Sequence, residues 1–339
     1  VYNDIVNSKA EAIDVKFLVE LNRSLAQESP MLLPKLLGIM PTEFVPFETR
    51  KKLAAIFNFL LTGPISDVFS EYTLLHYHDL MTPLCSGIDS QSSPDTSLLC
   101  GAMFRSTLKH NALYKKLLDS FLEEQTNANM PNNSKSEISP EYELSSMPQV
   151  DQPISLQQTT CRERYLYPLM DRQVFVSNFD LASDALTTLR EIFTSNTEIA
   201  SEYLERDYDT VFAKYNIMLQ SESYVTKRMS LKLLGELLLN RNNFNVMMKY
   251  ISNRENLKII MVLLSDPSKN IQFEAFHVFK IFVANPNKPP QIAKVLAQNK
   301  VKLVSFLEQF HKEKEFSDVQ FRDEKTLLIS TLLNKINDV

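Results

Sequence analysis

Tyr224-Val-Thr-Lys-Arg-Met-Ser-Leu-Lys-Leu-Leu234 has two counterparts in the same chain. One is Phe179-Asp-Leu-Ala-Ser-Asp-Ala-Leu-Thr-Thr-Leu189, 45 residues earlier, and the other is Lys269-Asn-Ile-Gln-Phe-Glu-Ala-Phe-His-Val-Phe279, 45 residues later. Stacking the three puts Ala185, Ser230 and Ala275 in one column, Leu186, Leu231 and Phe276 in the next, and Leu189, Leu234 and Phe279 in a third. A small residue followed by bulky apolar ones is what stacked helices need. The small side chain lets neighbours approach, and the bulky ones fill the shared core. A period of about 40–47 residues belongs to armadillo and HEAT arrays. Such arrays work by presenting an extended surface to a partner, which favours binding over catalysis.

Helical periodicity extends outward from these segments. An opening helix is expected over 9–27, another over 48–61, two short ones within 66–84 ending at Pro83, and two within 96–123. In the repeats three helices per unit are expected: 224–240, 242–251 and 254–265, then 270–284, 290–298 and 300–312, with a closing helix over 323–335. Three helices rather than two favour an armadillo-like unit. The fold expected is therefore all-α, an armadillo/HEAT-like right-handed superhelix of three-helix repeats. Residues 1–123 form its N-terminal repeats and 161–339 its C-terminal repeats, in one continuous solenoid. Residues 124–160 are rich in Asn, Ser, Gln, Pro and Glu and poor in aromatics. They bury too little apolar surface to offset their ordering entropy, so a disordered insertion is expected there.

Composition narrows the chemistry. Only five glycines occur among 339 residues, none spaced to build a phosphate-cradling GxGxxG or GxxxxGK[ST] loop. Cys85, Cys100 and Cys161 are few, widely spaced and without a CxxC, so they signal neither a disulfide framework nor a zinc site. His76 and His78 stand two apart, where helical side chains diverge, and no carboxylate or Cys set completes a metal shell. His277, inside a repeat helix, reads as a satisfied, half-buried residue. Neither a GxSxG nucleophile elbow nor an EF-hand loop is present. The expectation is no enzyme, no metal and no cofactor. No apolar run reaches 18 residues, so no transmembrane helix is expected. The chain begins at Val1 without an initiator Met, which leaves the native N-terminus, and any targeting segment in it, open.

Charge is uneven. Residues 221–312 hold fourteen Lys or Arg against six Asp or Glu, leaving −13 for the remainder of a chain whose net charge is −5. A basic half suits acidic peptides, a terminal carboxylate or nucleic acid. Within the repeats Phe179, Lys227, Arg228, Arg241 and Phe244 stand out as aromatic and cationic residues of the type that interfaces favour. Arg228 takes the register held by Ser183 and Phe273 in the neighbouring repeats. A second cluster combines Lys258, Met261 and Leu264, at i, i+3 and i+6, with Gln298 and Lys300. Met adapts its shape to a guest, and Lys can meet a carboxylate. Against each position stands the plain reading of a solvated or core helix residue.

The runs Tyr224 to Phe244, Asn270 to Lys288 and Phe179 to Ala185 closely resemble the calcium-binding protein 39 family. Phe47 to Phe57 and Cys100-Gly-Ala-Met103 look like more distant family segments. The resemblance is specific over about 165–328 and weaker over 40–122. It implies a helical-repeat scaffold without calcium chemistry. Such a scaffold binds germinal-centre (sterile-twenty-type) kinases or pseudokinases and holds them active. It also implies that Phe179, Lys227, Arg228, Arg241 and Phe244 form a concave kinase-binding face. Lys258, Met261, Leu264, Gln298 and Lys300 would then form a pocket for a Trp-Glu-Phe type tail. The chain departs from the family at Gln298, where Lys is expected, and in the 124–160 insertion, which points to a divergent fungal member. Fungal members are expected to act in cell polarity, morphogenesis and cell separation, with an NDR-type kinase downstream. A cytoplasmic protein is expected, monomeric or weakly dimeric and recruited to sites of polarised growth or division. The rival from another class is a nuclear-transport-like or nucleic-acid-binding solenoid. Importin-like arrays rely on Trp/Asn ladders, and this chain has no Trp.

Overall fold

The computed structural model describes residues 20, 23–89, 93–118 and 160–335. After a π-helical turn at Ser24–Glu28 come α1 (Leu32–Ile39), α2 (Phe47–Thr62), α3 (Ser66–Leu75), α4 (Tyr77–Ile88), α5 (Pro94–Thr107) and α6 (Asn111–Leu118). Beyond residue 160 follow α7 (Tyr167–Asp171), α8 (Phe179–Thr194), α9 (Thr197–Arg206), α10 (Tyr208–Leu219), α11 (Tyr224–Leu239) and α12 (Phe244–Ile251). The last five are α13 (Arg254–Leu263), α14 (Lys269–Ala284), α15 (Pro290–Gln309), α16 (Lys312–Glu315) and α17 (Val319–Lys335). No strand occurs among the described residues. The architecture is the expected all-α helical repeat.

Local chemistry sets the helix starts. Asn178 Oδ1 accepts from the backbone N–H of Asp180 and Leu181 at the head of α8. Asn196 caps α9, Ser223 caps α11 and Asn253 caps α13 in the same way. Each cap satisfies a donor that the first helical turn leaves orphaned, worth about 1 kcal/mol.

One stack of helices forms the spine. α2 packs on α5, α5 on α8, α8 on α11, α11 on α14 and α14 on α17. The α8, α11 and α14 helices are each 16 residues long. All nine residues of the three sequence columns are buried, none more than 3% exposed. The stack runs in register. Ser183 Oγ reaches Met229 Sδ at 3.7 Å, Arg190 pairs with Glu236 at 2.8 Å, Asn270 Nδ2 donates to Tyr224 OH at 3.1 Å, and Lys280 pairs with Glu324 at 2.6 Å. Every one of these contacts joins positions 44–46 residues apart.

The spine also locates the long segment between residues 118 and 160. Ladder helices begin at 47, 94, 179, 224, 269 and 319. The 85-residue step from α5 to α8 exceeds the repeat by 40 residues, so the extra chain falls between two stacked neighbours without parting them. Arg105 on α5 pairs with Asp184 on α8 at 2.8 Å and donates to Thr188 Oγ1 at 2.8 Å. Gly101 makes room for this pair, because a Cβ there would stand 2.1 Å from Asp184 Oδ2.

Several expectations are corrected. The two helices expected over 290–298 and 300–312 are one, α15. Gln298-Asn-Lys300 holds no breaker, and Asn299 Nδ2 satisfies itself on Val295 O at 2.8 Å. The chain turns only at His311, whose φ of 47° is the sole positive value at a non-glycine residue among those described. Pro83 does not end α4, which continues to Ile88 because Leu84, Gly87 and Ile88 are buried against the core. α17 starts at Val319, four residues before its expected start. Of the opening helix expected over 9–27, residues 9–19, 21 and 22 lie outside the described residues, as does the insertion apart from Thr160. No single helix among the described residues is long and apolar enough to cross a membrane.

The last repeat closes on a buried charge. Lys325, 4% exposed, donates to Phe310 O at 2.8 Å and Glu308 O at 3.4 Å, and it pairs with Glu315. Lys325→Met removes the cation and leaves the Glu315 carboxylate and two carbonyls unpaired. Its expected cost is about 2–3 kcal/mol in urea unfolding, below the full value for a buried pair because Glu315 keeps partial solvent access. A loss under about 0.5 kcal/mol would show that the clamp is ornamental.

Candidate functional site

The first residues of two consecutive ladder helices are exposed aromatics. Phe179 opens α8 and Tyr224 opens α11, and they are 64% and 43% exposed. One turn into α11, Arg228 is half-buried, and its Nε is buried without a hydrogen-bond partner. Tyr224 sits between neighbours: the Asn270 amide, first, and then Arg228 lower its hydroxyl pKa. On α14, Glu274 faces Arg228 and Lys232. Burial raises its pKa above the ordinary carboxylate value, against the pull of Lys232 and Arg228. Two exposed rings on consecutive ladder helices, the second next to a guanidinium, have the composition of an interface hot spot.

The five residues expected to share that face do not lie together. Lys227 is spoken for: its Nζ pairs with Asp266 at 3.0 Å, and the two side chains are 21% and 9% exposed. Asp266 in turn accepts from the N–H of Ser268 through Oδ1, and its carbonyl accepts from Gln272 Nε2. Lys227 thus ties α11 to the turn that starts α14. Arg241 lies in the 3-10 turn Arg241–Asn243, and Phe244 starts α12. Both are exposed, but thirteen and sixteen residues past Arg228, beyond the far end of α11, which lies roughly 16 Å along the helix from Arg228. Phe244 there lines an apolar groove of about 470 Å³ with Leu239, Met247, Met248, Ile251 and Ile281. The expected single face is therefore an aromatic–Arg patch at one end of the ladder and a Met-rich groove at the other.

The second cluster also divides. Leu264 is 1% exposed and belongs to the core, so it cannot line a pocket without repacking. Met261 is half-buried and packs on that core. Lys258 is exposed and pairs with Glu255 at 2.9 Å, while Gln298 is exposed and Lys300 half-buried on α15. None of the five lines the groove of about 750 Å³ that opens between the start of α14 and the second half of α15. Val301, Lys302, Ser305, Phe306 and Phe310 are among its walls. Gln298 nonetheless shares their face, since Val301 and Lys302 follow it at i+3 and i+4.

Sequence reasoning missed Tyr224 and Lys302. Tyr224 was recoverable, because it stands in the Phe179 column of the repeat. Lys302 was not, because a break at residue 299 assigns it and Gln298 to different helices. His76 and His78 do diverge: His76 Nδ1 faces Asp79 at 3.6 Å, and His78 Nδ1 bonds Tyr165 OH at 2.8 Å. The free thiols of Cys85 and Cys100 are both pushed up by burial, Cys100 to about 12. No group of three or more His, Cys, Asp or Glu that could hold a metal ion occurs among the described residues.

The chain matches the family model described as Mo25-like over residues 6–335. It is 39% identical over 296 residues to the human protein named Calcium-binding protein 39-like, covering 87% of this chain and 73% of that one. Over 156 residues it is 51% identical to the Mo25-like protein of Schizosaccharomyces pombe, 46% of this chain and 47% of that one. It is also 36% identical over 293 residues to the Conidiophore development protein hymA of Emericella nidulans, covering 84% and 70%.

The placements separate core from surface in a way that thermal or urea unfolding can check. Leu264→Ala is expected to cost about 2–4 kcal/mol, as for other buried leucines. Phe244→Ser should stay within about 1 kcal/mol, because most of the ring is already in water. Comparable losses in the two variants would contradict the surface placement of Phe244.

Proposed function

The chain belongs to the Mo25-like family, and from that membership we propose that it is a non-catalytic scaffold that binds a germinal-centre (sterile-twenty-type) kinase or pseudokinase and stabilises its active arrangement. The observation that carries this reading is the pairing of Phe179 and Tyr224, exposed on consecutive repeats, with the unspent Arg228 donor between them and the next repeat. A rigid row of this kind suits a partner element that crosses the ladder helices, meeting rings with apolar residues and Arg228 with a carboxylate or carbonyl. Activation follows if the active arrangement of the kinase fits this row better than the inactive one, since only differential affinity shifts such an equilibrium. A tenfold preference corresponds to about 1.4 kcal/mol, within reach of one or two well-buried contacts.

The Phe244 groove offers a second contact on the same partner, and the α13–α15 side offers a third, for a Trp-Glu-Phe type tail near Met261 and Gln298. The name of one fungal relative, the Conidiophore development protein hymA, supports a role in morphogenesis. We place the protein in the cytoplasm as a fungal member of the family, in a pathway of cell polarity and cell separation with an NDR-type kinase downstream.

Binding of a candidate kinase domain to the full chain tests the reading. Arg228→Ala and Phe179→Ala should each weaken binding about tenfold or more and reduce activation in parallel, with melting temperature unchanged. Lys227→Ala should instead lower stability, because it strands Asp266. Met261→Ala should weaken tail-peptide binding only. Kinase binding that is unchanged by both Arg228→Ala and Phe179→Ala would remove the aromatic–Arg row from the interface. Binding that instead tracked nucleic acid, with a steep salt dependence, would favour the rival solenoid class.

A further inference from the structure

Arg105, Arg190, Gly235 and Lys280 form one column of the ladder, each eleven residues past the start of its helix at 94, 179, 224 or 269. Each cation of that column meets a carboxylate on the next ladder helix. Arg105 pairs with Asp184 at 2.8 Å, Arg190 with Glu236 at 2.8 Å and Lys280 with Glu324 at 2.6 Å. Only α11 breaks the series, with a glycine. The carboxylate left over is Glu274 on α14, which stands in the Asp184 column two repeats on. Asp184, Glu191, Glu236 and Glu324, the other half-buried carboxylates of α8, α11, α14 and α17, all pair. Glu274 makes neither an ion pair nor a hydrogen bond among the described residues.

The gap lies on the exposed stripe of α11. Tyr224, Arg228, Gly235 and Leu239 share that face, so Gly235 stands between the aromatic–Arg patch and the Phe244 groove. Along the axis it is roughly 10 Å from Arg228 and 6 Å from Leu239. A partner that reaches both patches passes over it. Lys232 and Arg228 act on Glu274 from α11 and Lys314 from α16, yet burial, with Glu236 beside it, outweighs their pull. Lys314 rests on the Phe273 ring at 3.0 Å and Arg228 lies beside Tyr224, so neither replaces a direct pair. We infer that Glu274 receives a lysine or arginine side chain of the partner, which takes on α11 the place that Arg105, Arg190 and Lys280 fill on their own helices. This rests on docking of the partner across the Arg228 row. It adds a basic residue to what the partner presents, next to the acceptor that meets Arg228.

Calorimetry of the full chain with the candidate kinase domain tests it. Glu274→Gln should weaken binding about three- to tenfold, between the values of an exposed and a buried pair, without lowering the melting temperature. Gly235→Arg supplies the missing cation from within the chain. A Cβ there stands 3.9 Å from Val278 Cγ2, an ordinary contact, so the variant should fold with a raised melting temperature. It should weaken binding more than Gly235→Gln, which adds bulk without charge. Equal losses in the two Gly235 variants would mean obstruction rather than pairing and overturn the assignment. Wild-type affinity in Glu274→Gln overturns it too, and tighter binding in that variant would mean that the carboxyl takes up a proton instead. In each of those cases a loss of binding in Arg228→Ala leaves the docking row standing. A kinase domain that the wild-type chain does not bind overturns both.

Discussion

How closely two ladder helices can approach governs this molecule. Ala185, Ser230 and Ala275 occupy the contact line, and none of them carries more than two side-chain heavy-atom lengths of bulk into it. Leu186, Leu231 and Phe276 then reach across to fill the space beside them, where a fully buried side chain of this size contributes about 1.5–3 kcal/mol. Because each repeat touches mainly its neighbours, stability accumulates contact by contact along the stack. The same logic explains the tolerance of 40 extra residues between α5 and α8. Lengthening the connection between elements that already pack costs entropy only logarithmically, and the Arg105–Asp184 pair joins the two helices directly.

Charge is used in two ways along the stack. Cross-repeat pairs such as Arg190–Glu236, Lys280–Glu324 and Lys227–Asp266 lock the register. Those open to water contribute little each, whereas Lys227–Asp266 is shielded enough to matter. What remains outside these pairs is the Arg228 Nε, without a hydrogen-bond partner, and two aromatic rings in solvent. Satisfied charges build the ladder.

The long α15 changes how the C-terminal end presents itself. Fusing what would be two helices carries one continuous face from Gln298 to Gln309, flanked by the start of α14. The chain then reverses at His311, whose left-handed backbone is held by its bond to Gln272 and by aromatic neighbours including Phe273 and Phe310. Lys314 lies 3.0 Å from the Phe273 ring centroid and packs the return segment against α14. The groove exists because the helix does not break.

The repeat, its period, the buried columns and the all-α class were legible in the sequence, because 45-residue spacing and small–large alternation are properties of the chain itself. Tyr224 was legible too, by its place in the Phe179 column. The sequence could not tell Lys227 from Arg228, adjacent cations of similar propensity. Only packing decides that one pairs with Asp266 while the other keeps an Nε without a hydrogen-bond partner beside Tyr224 and Glu274. Nor could it show that Leu264 is core while Phe244 is solvent-facing, since both are apolar residues near helix ends. The sixth ladder helix, the grouping of Phe244 with Ile281 and that of Lys302 with Phe306 and His311 were likewise decided by tertiary structure. Local periodicity determines which face of a helix is apolar, whereas the identity of the neighbour across that face depends on contacts between residues far apart in the chain.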